Sequence, residues 1–413
     1  MEGTAMMALT TLANGLRVAS RPMPSVETVA VGLYAATGSR HEAARVNGLA
    51  HLFEHMVFKG AGSRGAREIS EAIEDVGGEL NAATDREQTA FYASLLAGDL
   101  ALGVELVADL VRRPHFEPRH LALEKKVVLQ ELAEARETPG DIVFDQLQEA
   151  AFPDQALGRS VLGSEESIAA ITVDDLNGWR EEHYRPGALI LVGAGKLEHT
   201  ALVDLAEAAF GDVKPGARQV PEPARFIGGH SFDLRKSAQA QIALAMPAPA
   251  WGSREAYAAQ LFADALGAGS SSRLFQELRE ERGLAYSVSA GTSAFADCGM
   301  AWAYVAADRG DAALVHSELE RVIAETATGL EPRELERARA QAKAGMMMSL
   351  ESCWGQAAYL ANRLLRDGRL VEPSEIVERI DSVVLDEVRA AGQKMVAGPR
   401  AWAAVGASLA LAA

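Results

Sequence analysis

Residues 48–60 read Gly48-Leu49-Ala50-His51-Leu52-Phe53-Glu54-His55-Met56-Val57-Phe58-Lys59-Gly60. Within them His51, Glu54 and His55 form an H-x-x-E-H pattern. In a helix, at ~100° per residue, His51 and His55 project from one face, one turn apart. Two imidazoles so placed can hold one divalent metal, usually zinc. Glu54 stands beside the second histidine, within reach of a water on such a metal but badly aligned to be a ligand itself. That is the position of a general base. The flanking Leu49, Leu52, Phe53, Met56, Val57 and Phe58 are apolar, so the helix is read as largely buried. Burying three ionisable side chains with no task for them costs several kcal/mol.

A hydrolytic zinc site needs a third protein ligand and an open position. A helix predicted over Pro118–Glu137 offers Glu124, Glu131, Glu134 and Glu137. Glu124 and Glu131, seven apart, share a face. Glu131 lies within Val127-Val128-Leu129-Gln130-Glu131-Leu132, the most apolar part of that helix. It is therefore expected to be buried and in need of a partner, which a metal would supply. Glu134 and Glu137 suit a solvated face.

The chain has 413 residues, 48% hydrophobic and 23% charged, an ordinary globular composition for two or more domains. No run reaches the ~18 apolar residues of a membrane span. Met1-Glu2-Gly3-Thr4-Ala5-Met6-Met7 has no basic segment followed by an apolar core and lacks the Arg-rich look of a transit peptide. A soluble intracellular protein without a signal peptide is expected. Cys298 and Cys353 are far apart and outside any C-x-x-C pattern, which excludes a disulfide framework and fits a reducing compartment. The net charge of -17 has the wrong sign for nucleic acid and would attract basic peptides.

In chain order, Thr11–Val18 reads as a hairpin with an Asn14-Gly15 turn, followed by a strand over Val26–Ala36. After the motif helix come a helix over Ala66–Val76, strands over Leu80–Thr84 and Thr89–Leu95, and a helix over Asp99–Arg112. Beyond Pro118–Glu137 there are helices over Ile142–Ala151 and Asp174–His183, a buried strand over Ala188–Gly193 and a helix over Thr200–Phe210. Lys214–Ala224, with Pro215, Gly216, Pro221 and Pro223, is the best linker. The pattern then restarts. A strand over Gln241–Met246 leads to helices over Glu255–Leu266 and Arg273–Arg282. Strands over Ala285–Thr292 and Gly299–Ala306 and a helix over Asp311–Ala327 follow. Glu331-Pro332-Arg333-Glu334-Leu335 echoes Glu117-Pro118-Arg119-His120-Leu121, 214 residues later (331 − 117). The expected fold is therefore α+β, two duplicated domains each with an antiparallel-rich sheet packed against helices. The expected division is 1–214, a linker at 215–224, and 225–413. The second copy has Phe262-Ala263-Asp264-Ala265-Leu266 and no histidine, so one half carries chemistry and the other does not.

These residues make the chain resemble the pitrilysin/insulinase family of inverted-motif zinc peptidases. In layout it is similar to the catalytic β subunit of mitochondrial processing peptidase and its short bacterial relatives. The resemblance rests on Gly38-Ser39-Arg40, the 48–60 stretch, Gly77–Thr84, Val127–Leu132, Ser272–Phe275 and Arg279–Tyr286. It implies one zinc per chain, with Glu131 as third ligand and Glu124 as an acid assisting the site from behind the ligands. It implies Arg279 and Tyr286 as a pair that holds the scissile carbonyl across a dimer interface; without it, Arg279 reads as a helix-surface arginine and Tyr286 as a strand-core tyrosine. It implies that Leu80–Thr84, with Asn81 and Ala82, is the edge strand on which a peptide is laid, an edge able to add an extended chain through main-chain hydrogen bonds. The implied activity is zinc-dependent endopeptidase action on unfolded or presequence-like peptides in a closed chamber, with Glu54 as base. The implied assembly is a homodimer or a heterodimer with a related subunit, in the bacterial cytoplasm. The rival readings are a non-catalytic subunit of the same fold and a peptide-binding chamber with structural zinc.

Overall fold

The computed structural model describes residues 6–409. Residues 1–5, on which part of the leader reading rests, lie outside them. The chain forms two compact units. One takes residues up to Leu132, Ser160–Glu222 and Met348–Val371; the other takes Ala133–Arg159, Pro223–Met347 and the chain from Glu372 onward. Both units are discontinuous, whereas the sequence reading cuts the chain once, at the linker.

The first unit is built on strands β1 (Ala8–Thr11), β2 (Arg17–Pro22) and β3 (Thr28–Ala35), a two-stranded ribbon of β4 (Gly60–Ala61) and β5 (Arg64–Gly65), then β6 (Glu79–Thr84), β7 (Thr89–Leu96) and β8 (Leu189–Gly195). Its sheet runs β1-β2-β8-β3-β7-β6. The second unit carries β9 (Gly229–Asp233), β10 (Gln239–Ala248), β11 (Ala285–Ala294), β12 (Gly299–Asp308) and β13 (Ala401–Val405), ordered β11-β12-β10-β13-β9. Read from the other edge, the first sheet contains the same sequence of roles, β6-β7-β3-β8-β2. In each sheet one pair, β2–β8 or β9–β13, is parallel, and it occupies the same place. The fold is α+β and duplicated, as the Glu-Pro echo suggests.

The helices of the first half are α1 (Leu49–Val57), α2 (Ala66–Glu74), α3 (Leu100–Arg112), α4 (Pro118–Glu137), α5 (Pro139–Ala151), α6 (Glu165–Ala170), α7 (Val173–His183) and α8 (His199–Phe210). Those of the second are α9 (Arg254–Gly267), α10 (Ala312–Gly329), α11 (Pro332–Ser349), α12 (Cys353–Asp367), α13 (Pro373–Ser382) and α14 (Leu385–Ala397). Among the described residues no helix is long and apolar enough to cross a membrane.

Strand alternation gives each central strand two faces. Val31 and Leu33 of β3 join Phe91 of β7 and Leu52 and Phe53 of α1 in one core, which fixes the motif helix to the sheet. On the opposite face Ala30 and Tyr34 meet Leu360, Ala361 and Leu364 of α12. In the second unit Ala243 and Ala245 of β10 and Ala403 of β13 pack against Val143 and Leu147 of α5. Each sheet is thus covered on one face by a helix from the other half of the chain. Past the end of α4 at Glu137, Pro139 is the first residue of α5, three residues before the expected start at Ile142. Proline suits that position because its missing N–H would have no partner there. The stretch expected as a helix over Arg273–Arg282 becomes a π-helical turn over Phe275–Glu281.

Candidate metal centre

The helix α1 begins where the chain can turn sharply. Gly48 has φ +93°, and a Cβ there would lie 2.6 Å from Ile168 Cδ1; only glycine takes this conformation without strain. The buried Glu42 carboxylate accepts the backbone N–H groups of Gly48 and Ala50, at 2.8 and 2.7 Å, and the Asn47 side-chain amide at 2.8 Å. It satisfies donors that the helix leaves free and places negative charge at its positive end.

One turn apart on α1, His51 Nε2 and His55 Nε2 face each other at 3.3 Å. Oε2 of Glu131, from α4, lies 3.7 Å from the first and 3.5 Å from the second. All three donor atoms fall within 4.8 Å of one another. Burial, with the neighbouring His55, lowers the pKa of His51 to about 4. It is neutral at pH 7, so its contact with Glu131 is not an ion pair. Such a set has little to offer itself and suits a cation. Zinc bonds of about 2.0–2.1 Å at a tetrahedral angle put ligand atoms ~3.3–3.5 Å apart, which is close to the three separations found. The residues present fit zinc.

Glu124 lies behind His55. Its Oε2 is 3.3 Å from His55 Nδ1, and its Oε1 is 3.0 Å from Lys59 Nζ. Of the two acids of α4, Glu131 differs from expectation. Glu124 is the buried one, with its side chain 8% exposed, while the Glu131 side chain is 39% exposed. The apolar run around Glu131 does not bury it: Val128 and Leu132 are buried and Leu129 packs against the core, but Val127 is exposed and the Glu131 side chain reaches solvent.

Glu54 is half-buried beside this cluster, and its Oε2 has no hydrogen-bond partner. Desolvation raises its pKa, with hydrogen bonding from Thr84 and the nearby His55 opposing and Glu131 reinforcing the shift. Asn81 and Ala82 lie on β6, which pairs only with β7 among the described residues. The Asn81 side chain is exposed, and its Oδ1 accepts the Ala82 N–H at 2.8 Å.

Arg279 and Tyr286 belong to the second unit, and the metal donors to the first. Arg279 is exposed on the π-helical turn, 4.8 Å above the Phe275 ring. Tyr286 is not a core residue. It is 72% exposed, at a break in the β11–β12 register between Ala285 and Ser287. A bulge of this kind re-aims one side chain away from the sheet.

Three supporting residues escape a reading of the motif alone. Glu42 and Lys59 flank α1, and Thr84 ends β6. An acid shortly before a helix start is a usable signal for Glu42; the others depend on tertiary contacts.

The chain matches the description "Insulinase (Peptidase family M16)" over residues 17–165 and "Peptidase M16 inactive domain" over residues 170–342. It is 35% identical over 408 residues to an uncharacterized zinc protease of Streptomyces coelicolor, covering 96% of this chain and 88% of the relative. It is 32% identical over 378 residues to one of Rickettsia felis, covering 91% and 92%. Among solved structures, a peptidase M16 inactive domain from Pseudomonas fluorescens matches with a TM-score of 0.90 at 19% identity, covering 98% of this chain and 99% of that one. A protease from Helicobacter pylori matches with a TM-score of 0.89 at 19% identity, covering 97% and 99%. From its residue patterns, its duplicated fold and these matches along nearly its whole length, the chain belongs to the insulinase family of peptidases, M16.

Proposed function

We propose that this protein is a zinc-dependent endopeptidase acting on unfolded or presequence-like peptides. The observation that carries the reading is the convergence of His51 Nε2, His55 Nε2 and Glu131 Oε2 within 4.8 Å, beside the unpartnered Oε2 of Glu54. His51, His55 and Glu131 would hold one zinc per chain. Bound there, zinc supplies a Lewis acid and an activated water.

The chain's own groups do the rest. Glu124 holds His55 by Nδ1, so that Nε2 keeps its lone pair free. Glu54 takes a proton on its free Oε2 as the peptide carbonyl is attacked, and returns it to the leaving amine. Its raised affinity for protons, a result of burial, suits that exchange. The free edge of β6 around Asn81 and Ala82 would take the peptide as an added strand, reading main chain more than side chains. Arg279 and Tyr286 would steady the scissile carbonyl from a partner chain, in a homodimer or with a related subunit. The second unit serves as the repeat without chemistry. The two free cysteines suit a reducing bacterial cytoplasm.

Metal analysis of the purified protein, with hydrolysis of a quenched basic peptide before and after chelation, tests the reading. Zinc near one per chain and chelator-sensitive cleavage are expected. Zinc without cleavage, in both the monomer and dimer fractions, would mark a non-catalytic subunit.

A further inference from the structure

The hairpin that carries β6 fixes which of its backbone groups face outward. At its turn the Asp85 N–H donates to the Gln88 carbonyl at 2.8 Å. Behind that turn Thr84 stands opposite Thr89, Ala82 opposite Phe91 and Leu80 opposite Ala93. In an antiparallel pair, inward and outward groups alternate along each strand. Asp85 points inward, and so do Ala83 and Asn81. The N–H and C=O of Thr84, Ala82 and Leu80 therefore point away from β7, toward the edge where no other strand pairs among the described residues.

Two of these three outward N–H groups are already used. That of Ala82 goes to Asn81 Oδ1 at 2.8 Å. That of Thr84 goes to the Glu54 carboxylate, which also accepts the Thr84 hydroxyl. Side-chain alternation places the hydroxyl for this contact. Thr84 shares a strand face with Ala82, which packs in the core with α1, and Thr84 Oγ1 lies 3.4 Å from the carbonyl of Ala50, one helical turn before Glu54.

The two contacts differ in permanence. Asn81 is exposed and has room to rotate, so a peptide carbonyl can displace it. Glu54 stands on a helix whose Leu52 and Phe53 are fully buried, and turning its side chain aside would forfeit both Thr84 donors. While they hold it, Oε2 is left without a partner.

We propose that Thr84 is a positioning residue: its N–H and hydroxyl hold Glu54 with Oε2 free, and the same contact ends the peptide-binding edge at Ala82. The proposal rests on the peptidase reading of Glu54 and β6. A peptide laid on β6 pairs with Leu80 and Ala82 and reaches Glu54 where the pairing stops.

Two measurements on the full chain test this. The first is residue-resolved amide exchange of the metal-free protein, which needs neither zinc nor cleavage. Glu54→Ala should speed exchange of the Thr84 amide about tenfold or more, the scale of one hydrogen bond to a charged group, and leave the inward-facing Ala83 amide unchanged. The second is peptide cleavage. Thr84→Val keeps the shape and loses the hydroxyl. Its kcat should fall about tenfold, with KM and zinc affinity within about twofold of wild type, whereas Thr84→Ser should stay within about threefold. A Thr84 amide that exchanges equally fast with and without the Glu54 carboxylate would overturn the proposal. So would a valine variant with wild-type kcat, a serine variant as slow as the valine one, or a loss carried by KM alone. If the wild-type chain cleaves no peptide, the peptidase reading falls and the role of Thr84 with it, while the exchange result still decides whether Thr84 holds Glu54.

Discussion

The Glu124 carboxylate lies 3.3 Å from Nδ1 of His55, across the ring from the Nε2 that faces His51. A histidine held this way keeps one tautomer and one orientation. Glu124→Gln keeps the shape but weakens the charge that holds the ring and leaves Lys59 without its ion pair. Zinc affinity should fall ~10–100-fold, as read by competition with a chromophoric chelator. Unchanged affinity would remove Glu124 from the site.

Glu54→Gln should leave zinc affinity within a few-fold of wild type, because the side chain is not among the donors. Turnover should fall ~10²–10⁴-fold, the usual contribution of a positioned base. Parallel metal analysis and peptide cleavage check this. A variant that cleaves at the wild-type rate would rule Glu54 out as the base.

His41 and His183 form a half-buried to buried pair, and desolvation is the first cause of the lowered pKa of each, about 4. The ordinary value is 6.5, so between those limits the unfolded chain binds more protons than the folded one. Stability is therefore complete above pH 6.5 and is lost as pH falls toward 4. Denaturant unfolding should show a loss of about 2 kcal/mol per histidine from pH 7 to pH 5. His183→Asn preserves an acceptor or donor for Thr37 Oγ1, which lies 3.1 Å from Nδ1, and should flatten the profile. A variant with the wild-type slope would refute the assignment.

Asp264 stands where the first unit has His55, and it accepts Gln260 Nε2 at 2.7 Å. Gln260 in turn accepts Thr292 Oγ1. Burial raises the Asp264 pKa to about 6 from 3.8. Here the folded chain binds more protons in that window, so stability falls as pH rises through it. Asp264→Asn keeps the acceptor and removes the buried charge. It should gain about 1–3 kcal/mol at pH 7.5 and little at pH 4. Equal effects at both pH values would show that the carboxylate is not the cause.

The motif helix was legible because its signal is local: two histidines at helical spacing among apolar neighbours. The duplication was legible from turn and proline positions. The burial of the α4 acids was not. An apolar run in sequence does not say which side of a helix faces the core, and Glu131, expected to be buried, has a side chain 39% exposed. The chain beyond Ser349 carries α12, α13, α14 and β13, none of which the sequence reading identified. β13 reads Ala-Trp-Ala-Ala-Val, rich in a residue that strands do not favour. It is a strand because it fits between β10 and β9. The pattern of α12 answers to a sheet made by residues more than 150 positions earlier.

Because α5 and α12 each close the sheet of the opposite half, neither half is a self-sufficient folding unit. A gene divided at 215–222 should give two fragments that are insoluble or molten when made singly. Made together, they should assemble into a cooperative whole, detectable as a single co-eluting species with one melting transition. The protein should tolerate a nick there and keep its structure, but it should not survive shortening to the half that carries His51, His55 and Glu131.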